Sequence, residues 1–157
     1  MKLVVAFTSP KRSAKVLAMA EKQARALDAE LVLLRIMPDP EKVGVVAQLV
    51  ASDRPNLKAN KLVDRVIADL KSRGIKASGE IRMGEVAKDL LSVSREIGAD
   101  LIFLGTIDPK RRTFFQKLNP IVSYLINTSE IPLCIVPGEV EDISDVDVDT
   151  SDELSAE

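Results

Sequence analysis

LIFLGTIDPKRRTFFQKLNPIVSYLINTSEIPLCIVP, residues Leu101 to Pro137, holds two apolar runs separated by a basic loop and a short amphipathic segment. Leu101 to Leu104 and Ile131 to Pro137 are too short for helices and carry almost no polar side chains, so both read as strands buried on two faces. Between them Gly105-Thr106 makes a turn, Ile107 to Lys117 forms the loop, and Asn119 is placed to cap a helix with Pro120 at its first position. Ile121, Val122, Leu125 and Ile126 give that helix one apolar side. A strand, a helix and a second strand in this order make a parallel crossover unit. In such sheets ligands sit beyond the carboxyl ends of the strands, which points to Gly105 through Lys117.

The rest of the chain repeats the unit. Lys2 to Phe7 (KLVVAF) reads as a central strand, followed by Thr8, Ser9 and Pro10, where either Ser9 or Ser13 can begin a helix carrying Val16, Leu17, Ala20, Ala24 and Leu27. Glu30 to Met37 (ELVLLRIM) is the second strand. Residues 41–56 are ambiguous, since Gly44 and several valines weaken a helix there. Leu62, Val63, Val66, Ile67 and Leu70 form the next helical stripe, closed by Gly74. Ile75 to Arg82 alternates as an edge strand does. Gly84 opens a further helix, with Val86, Ala87, Leu90, Leu91, Val93 and Ile97 on its buried side and Gly98 at its stop. The pattern predicts a mostly parallel five-stranded sheet covered by helices.

The 157 residues fit one domain with one core. Apolar residues make up 46% of the chain and aromatic ones 3%, so Val, Leu, Ile and Ala must build that core. No apolar run approaches the about 18 residues of a membrane span. The N-terminus lacks the pattern of a secretory signal, which predicts a cytoplasmic protein. Cys134 is the single cysteine, expected to be a small hydrophobe in the last strand rather than a nucleophile. All 22 basic residues lie within residues 1–138 beside 15 of the 24 acidic ones, leaving +7 there and −9 in residues 139–157. The division expected is a folded domain over 1–138 and an acidic, disordered tail over 139–157, a possible contact for a protein partner. The tail run Asp145-Val146-Asp147-Val148-Asp149 lacks the glycine and closing glutamate of a calcium loop.

The chain contains no histidine, which removes the commonest general base, the commonest metal ligand and every Ser-His or Cys-His pair. No catalytic group and no metal site is expected. Lys11 and Arg12 after the first strand, with Lys110, Arg111, Arg112 and Lys117 after the fourth, could converge on an anion if those strands are neighbours. Asp108-Pro109 reads as the start of a turn. Phe114 and Phe115 can stack on a base or cover the end of the core, and membrane and nucleic-acid partners are not expected.

The start LVVAFTSP, the segment AELVLLRIMP, the strand GADLIFLGT and the ending SEIPLCIVP together resemble the universal stress protein family, the UspA-like domains, over residues 1–138. The resemblance implies a three-layer α/β/α sandwich with a five-stranded parallel sheet in the order 3-2-1-4-5, a Rossmann-like fold of the adenine nucleotide alpha hydrolase type. It also implies a homodimer through the last strand, here Leu133, Cys134, Ile135 and Val136. One branch of that family binds ATP through a glycine loop and an Asp at the end of the first strand. Gly105 and Thr106 match the loop's opening, but Asp108 stands at its second glycine, Asn119-Pro120 at its final Gly-Ser pair, and Thr8 in place of the Asp. Asp108 adds like charge and Pro120 removes a donor where phosphates would sit. The reading implied is a non-enzymatic stress-response or regulatory protein that acts through dimerisation and binding without the usual ATP cradle. The alternative is a nucleotide-binding member that uses Lys110 to Arg112 for the phosphates of ATP or another adenine nucleotide, with slow hydrolysis. The candidate binding residues are Thr8, Ser9, Lys11, Arg12, Gly105, Thr106, Lys110, Arg111, Arg112 and Asn119.

Overall fold

The computed structural model describes residues 1–39, 54–107 and 119–139. Nine elements alternate along them: β1 (Lys2–Ala6), α1 (Ala14–Leu27), β2 (Glu30–Pro38), α2 (Arg54–Ser72), β3 (Lys76–Gly84), α3 (Val86–Ile97), β4 (Leu101–Ile107), α4 (Pro120–Thr128) and β5 (Leu133–Glu139). The five strands form one parallel sheet in the order β3-β2-β1-β4-β5. The chain therefore winds outward from β1 to β3, returns to the other side of β1 at β4, and winds outward again.

Because successive strand residues point to opposite faces, each apolar strand feeds two cores. Leu3 and Val5 of β1, Leu31 and Leu33 of β2 and Phe103 of β4 pack with Val16, Ala20 and Ala24 of α1 and Val63 and Leu70 of α2. Val4, Val32, Leu34, Ile102 and Leu104 point the other way and pack with Leu90, Leu91 and Val93 of α3 and Val122 and Leu125 of α4. This is why LVV, LVLL and IFL read as continuous apolar runs. Phe103 is fully buried at the middle of the first cluster.

Local chemistry sets the helix ends. Asp28 closes α1 in the left-handed region (φ 50°), and its N–H donates to the Ala24 carbonyl. Gly74 and Gly98, at φ 82° and 77°, do the same after α2 and α3. Asn119 caps α4 as the sequence suggests, its Oδ1 accepting from Ile121 N–H at 2.9 Å. Of the two starts that the sequence leaves open for α1, the helix takes the one after Ser13. Two boundaries differ from the reading above. Gly84 belongs to β3, and α3 starts at Val86, where the Asp89 carboxylate turns back to accept from Glu85 N–H at 2.8 Å. The last strand starts at Leu133, because Pro132 lacks an N–H and its carbonyl only accepts from Ile102. The ambiguous segment lies outside the described residues except at 54–56, where α2 has already begun.

Candidate functional site

At the carboxyl ends of β1, β2 and β4, where the winding reverses, lies a cavity of about 300 Å³. Adjacent parallel strands whose connections leave in opposite directions cannot both be covered at this end, which opens the crevice. Phe7, Ile36, Leu90, Leu104 and Val122 supply apolar wall, Thr8, Arg12, Ser13, Arg35 and Asn119 the polar side chains, and Gly105 also lines it.

The β1–α1 turn is closed on itself. Thr8 N–H donates to Ser13 Oγ at 3.0 Å, and the two hydroxyls lie 3.2 Å apart. Ser13 is buried, so its hydroxyl is spent on Thr8 and gives α1 no side-chain cap. Ser9 Oγ accepts from Arg12 N–H at 3.2 Å, and its carbonyl accepts from Ser13 N–H at 2.9 Å. These bonds turn half-buried Arg12 towards the cavity, with its Nε buried.

Opposite, Arg35 interrupts the apolar run of β2. Leu34 and Ile36 belong to the α3–α4 core, so Arg35 projects to the α1 side, and its guanidinium donates to the Thr8 carbonyl. Residues 1–138 thus bring two guanidiniums to the cavity, and no carboxylate lines it among the described residues.

Of the expected binding residues, Thr8, Arg12, Gly105 and Asn119 line the cavity together. Ser9 acts one layer behind, through the turn. Lys11 is exposed and Thr106 is buried in the sheet opposite Pro137, and neither lines the cavity. Lys110, Arg111 and Arg112, with Asp108, Phe114, Phe115 and Lys117, lie outside the described residues. Arg35 was not among the expected residues, although a lone cation at the end of ELVLLRIM was the visible signal. Among the described residues no group of His, Cys, Asp and Glu is arranged to hold a metal.

Cys134 is half-buried rather than fully buried, packed against the α1–α2 core, and desolvation pushes its thiol above the ordinary value. That opposes thiolate formation and so nucleophilic use. No helix among the described residues is long and apolar enough to cross a membrane.

A five-stranded parallel sheet with helices on both faces and a cavity at its switch point defines a Rossmann-like α/β domain. The family model for the universal stress protein family matches residues 1–137, and the chain belongs to that family. It is similar to universal stress protein C of Escherichia coli O6:H1 (strain CFT073), with 25% identity over 138 residues, 86% of this chain and 94% of that protein. In fold it is similar to a universal stress protein of Archaeoglobus fulgidus (TM-score 0.68, 18% identity, covering 87% of this chain and 98% of that one). A second structure, of the Archaeoglobus fulgidus universal stress protein in complex with dAMP, has TM-score 0.66 and 16% identity, covering 87% of this chain and 97% of that one.

Proposed function

We propose that this chain is a non-enzymatic, cytoplasmic universal stress protein that works as a homodimer and responds to a small ligand held in the cavity at the carboxyl ends of β1, β2 and β4. The carrying observation is that cavity: it lies at the switch point, is walled mostly by apolar side chains, and has a few convergent polar groups. An adenine mononucleotide is the first ligand to try, since a relative of the same fold is known with dAMP. Thr8 and Asn119-Pro120 depart from the residues that wrap a triphosphate, so the outer phosphates of ATP should gain little here. Absence of histidine and the raised Cys134 thiol support a binding role over a catalytic one.

Isothermal titration with AMP and with ATP plus magnesium tests the reading. AMP should bind, and ATP should bind no more tightly. An ATP affinity more than about tenfold above that of AMP, or steady release of phosphate from ATP, would favour the basic-loop alternative.

The dimer has its own support. Strand β5 ends the sheet with no strand beyond it among the described residues, and Ile135 on it is 37% exposed. An apolar edge of this kind invites a second copy. Residues 1–138 as the folded unit and 139–157 as an acidic appendage, whose first residue Glu139 closes β5, complete the proposal, and deletion of residues 140–157 should leave ligand binding and dimerisation in place.

A further inference from the structure

We propose that Lys15, Met19 and Lys22, on the outer face of α1, form a docking surface for an acidic segment of the same chain, residues 140–149. Strand β5 ends at Glu139, beside the first turn of α1. Gly138 has φ 114°, a conformation that glycine adopts freely, and the Lys15 side chain lies across it. A Cβ on Gly138 would stand 2.5 Å from Lys15 Cδ and 2.7 Å from Nζ. An ammonium is thus held where the acidic residues begin. Met19 and Lys22 follow at helical spacings of four and three, which sets the three side chains in one stripe. Both lysines are exposed, and Met19 is 39% exposed between them.

Charge pairing singles this stripe out. Arg25 and Arg73 meet Glu21, Lys76 meets Asp28, Arg82 meets Glu80 and Glu96, and Arg95 meets Glu130. Lys15 and Lys22 make no ion pair or hydrogen bond among the described residues. Arg65 and Lys71 of α2 share that state, but at six residues apart they point to different faces, and on α3 Lys88 is alone in it.

The segment fits in reach and in pattern. Seven residues of α1 separate the two lysines, about 10 Å along the axis, whereas ten residues extended at about 3.3 Å each cover roughly three times that. Glu141, Asp142, Asp145, Asp147 and Asp149 are interspersed with valine and isoleucine, matching two cations that flank an apolar side chain. Exposed ion pairs are individually weak, but a tethered segment is present at an effective concentration on the order of millimolar. Docked there, it covers the α1 face, and an acidic partner reaches Lys15 and Lys22 only by displacing it. None of the three residues lines the cavity, so ligand binding is independent of the docking.

Amide and methyl shifts of the full chain, compared with those of the full-length variant D142N/D145N/D147N/D149N, test this. At about 0.1 M salt the two should differ at Lys15, Met19 and Lys22, and the difference should vanish at about 1 M, as the Debye length falls from about 10 Å to about 3 Å. Lys15→Glu combined with Lys22→Glu should abolish the salt dependence of the amides of residues 141–149, and the salt titration of the wild-type chain needs no variant. Identical spectra at low salt, a difference that persists at high salt, or one centred on Arg65, Lys71 or Lys88 overturns the docking. Isotope-labelled D142N/D145N/D147N/D149N mixed with unlabelled wild type should keep its own spectrum. Wild-type shifts appearing on its α1 would assign the contact to a second copy and overturn the intramolecular assignment.

Discussion

Glu130, in the turn before β5, receives two hydrogen bonds from Arg95 of α3, the Nη2 one at 2.7 Å, and its carboxyl is held down to about 2 by that guanidinium. The folded carboxyl binds its proton less readily than an unfolded one, whose ordinary value is about 4.3. The pair therefore stabilises fully above that ordinary value and the contribution is lost as pH falls through about 2. Carbon-detected NMR titration should place the Glu130 midpoint near 2, and Arg95→Gln should return it to the ordinary range. Cys134 gives a second readout. With desolvation raising its thiol, its reaction with a disulfide reagent at pH 8 should be slower than that of an unfolded control, and slower still at protein concentrations that favour the dimer. Single residues were the hardest to read from the sequence. Thr8 and Arg12 could be placed because they directly follow a strand, whereas Arg35 lies within one, and only the register that sets Leu34 opposite Ala6 shows that Arg35 reaches the turn after β1.

Among the elements, α2 shows how closely helix and sheet approach. A Cβ on Gly79 of β3 would come within 2.6 Å of both Ile67 Cδ1 and Val63 Cγ1, so the bare glycine lets the helix lie flat on the strand. Gly79→Val should lift α2 and cost about 1–3 kcal/mol in a denaturant melt, while Gly98→Ala meets no neighbour and acts only through its φ of 77°. A loss at Gly79 within measurement error would show that the two side chains move aside freely. Element types were legible because period alone separates LVVA from AKVLAMAEKQARAL. Ends were less so. The start of α1 depends on Ser13 choosing Thr8 as its partner over the helix, and the start of α3 on Asp89 reaching back to Glu85, both of which are contacts between residues that sequence spacing alone does not rank. Gly84 looked like an opening because glycine breaks a pattern in either direction.

For the molecule as a whole, the order of strands followed from the resemblance, since an alternating pattern fixes parallel pairing but leaves open which way the chain turns after β3. That turn creates the cavity, because it leaves β1 between β2 and β4 with their connections diverging. The same order leaves β5 at the edge. Ile135→Lys should convert a dimer to a monomer in sedimentation velocity without changing the thermal midpoint of a dilute sample, and a wild-type chain that is monomeric at high concentration would contradict the edge pairing. The cavity is lined from β1 and the turn after it, β2, α3, β4 and the start of α4 with its cap Asn119. The central claim is that this cavity holds the ligand. Amide chemical-shift mapping of the full chain titrated with AMP tests it most directly: saturable shifts should concentrate at Thr8, Arg12, Arg35, Gly105 and Asn119, and shifts confined to β5 or scattered over exposed lysines would contradict it.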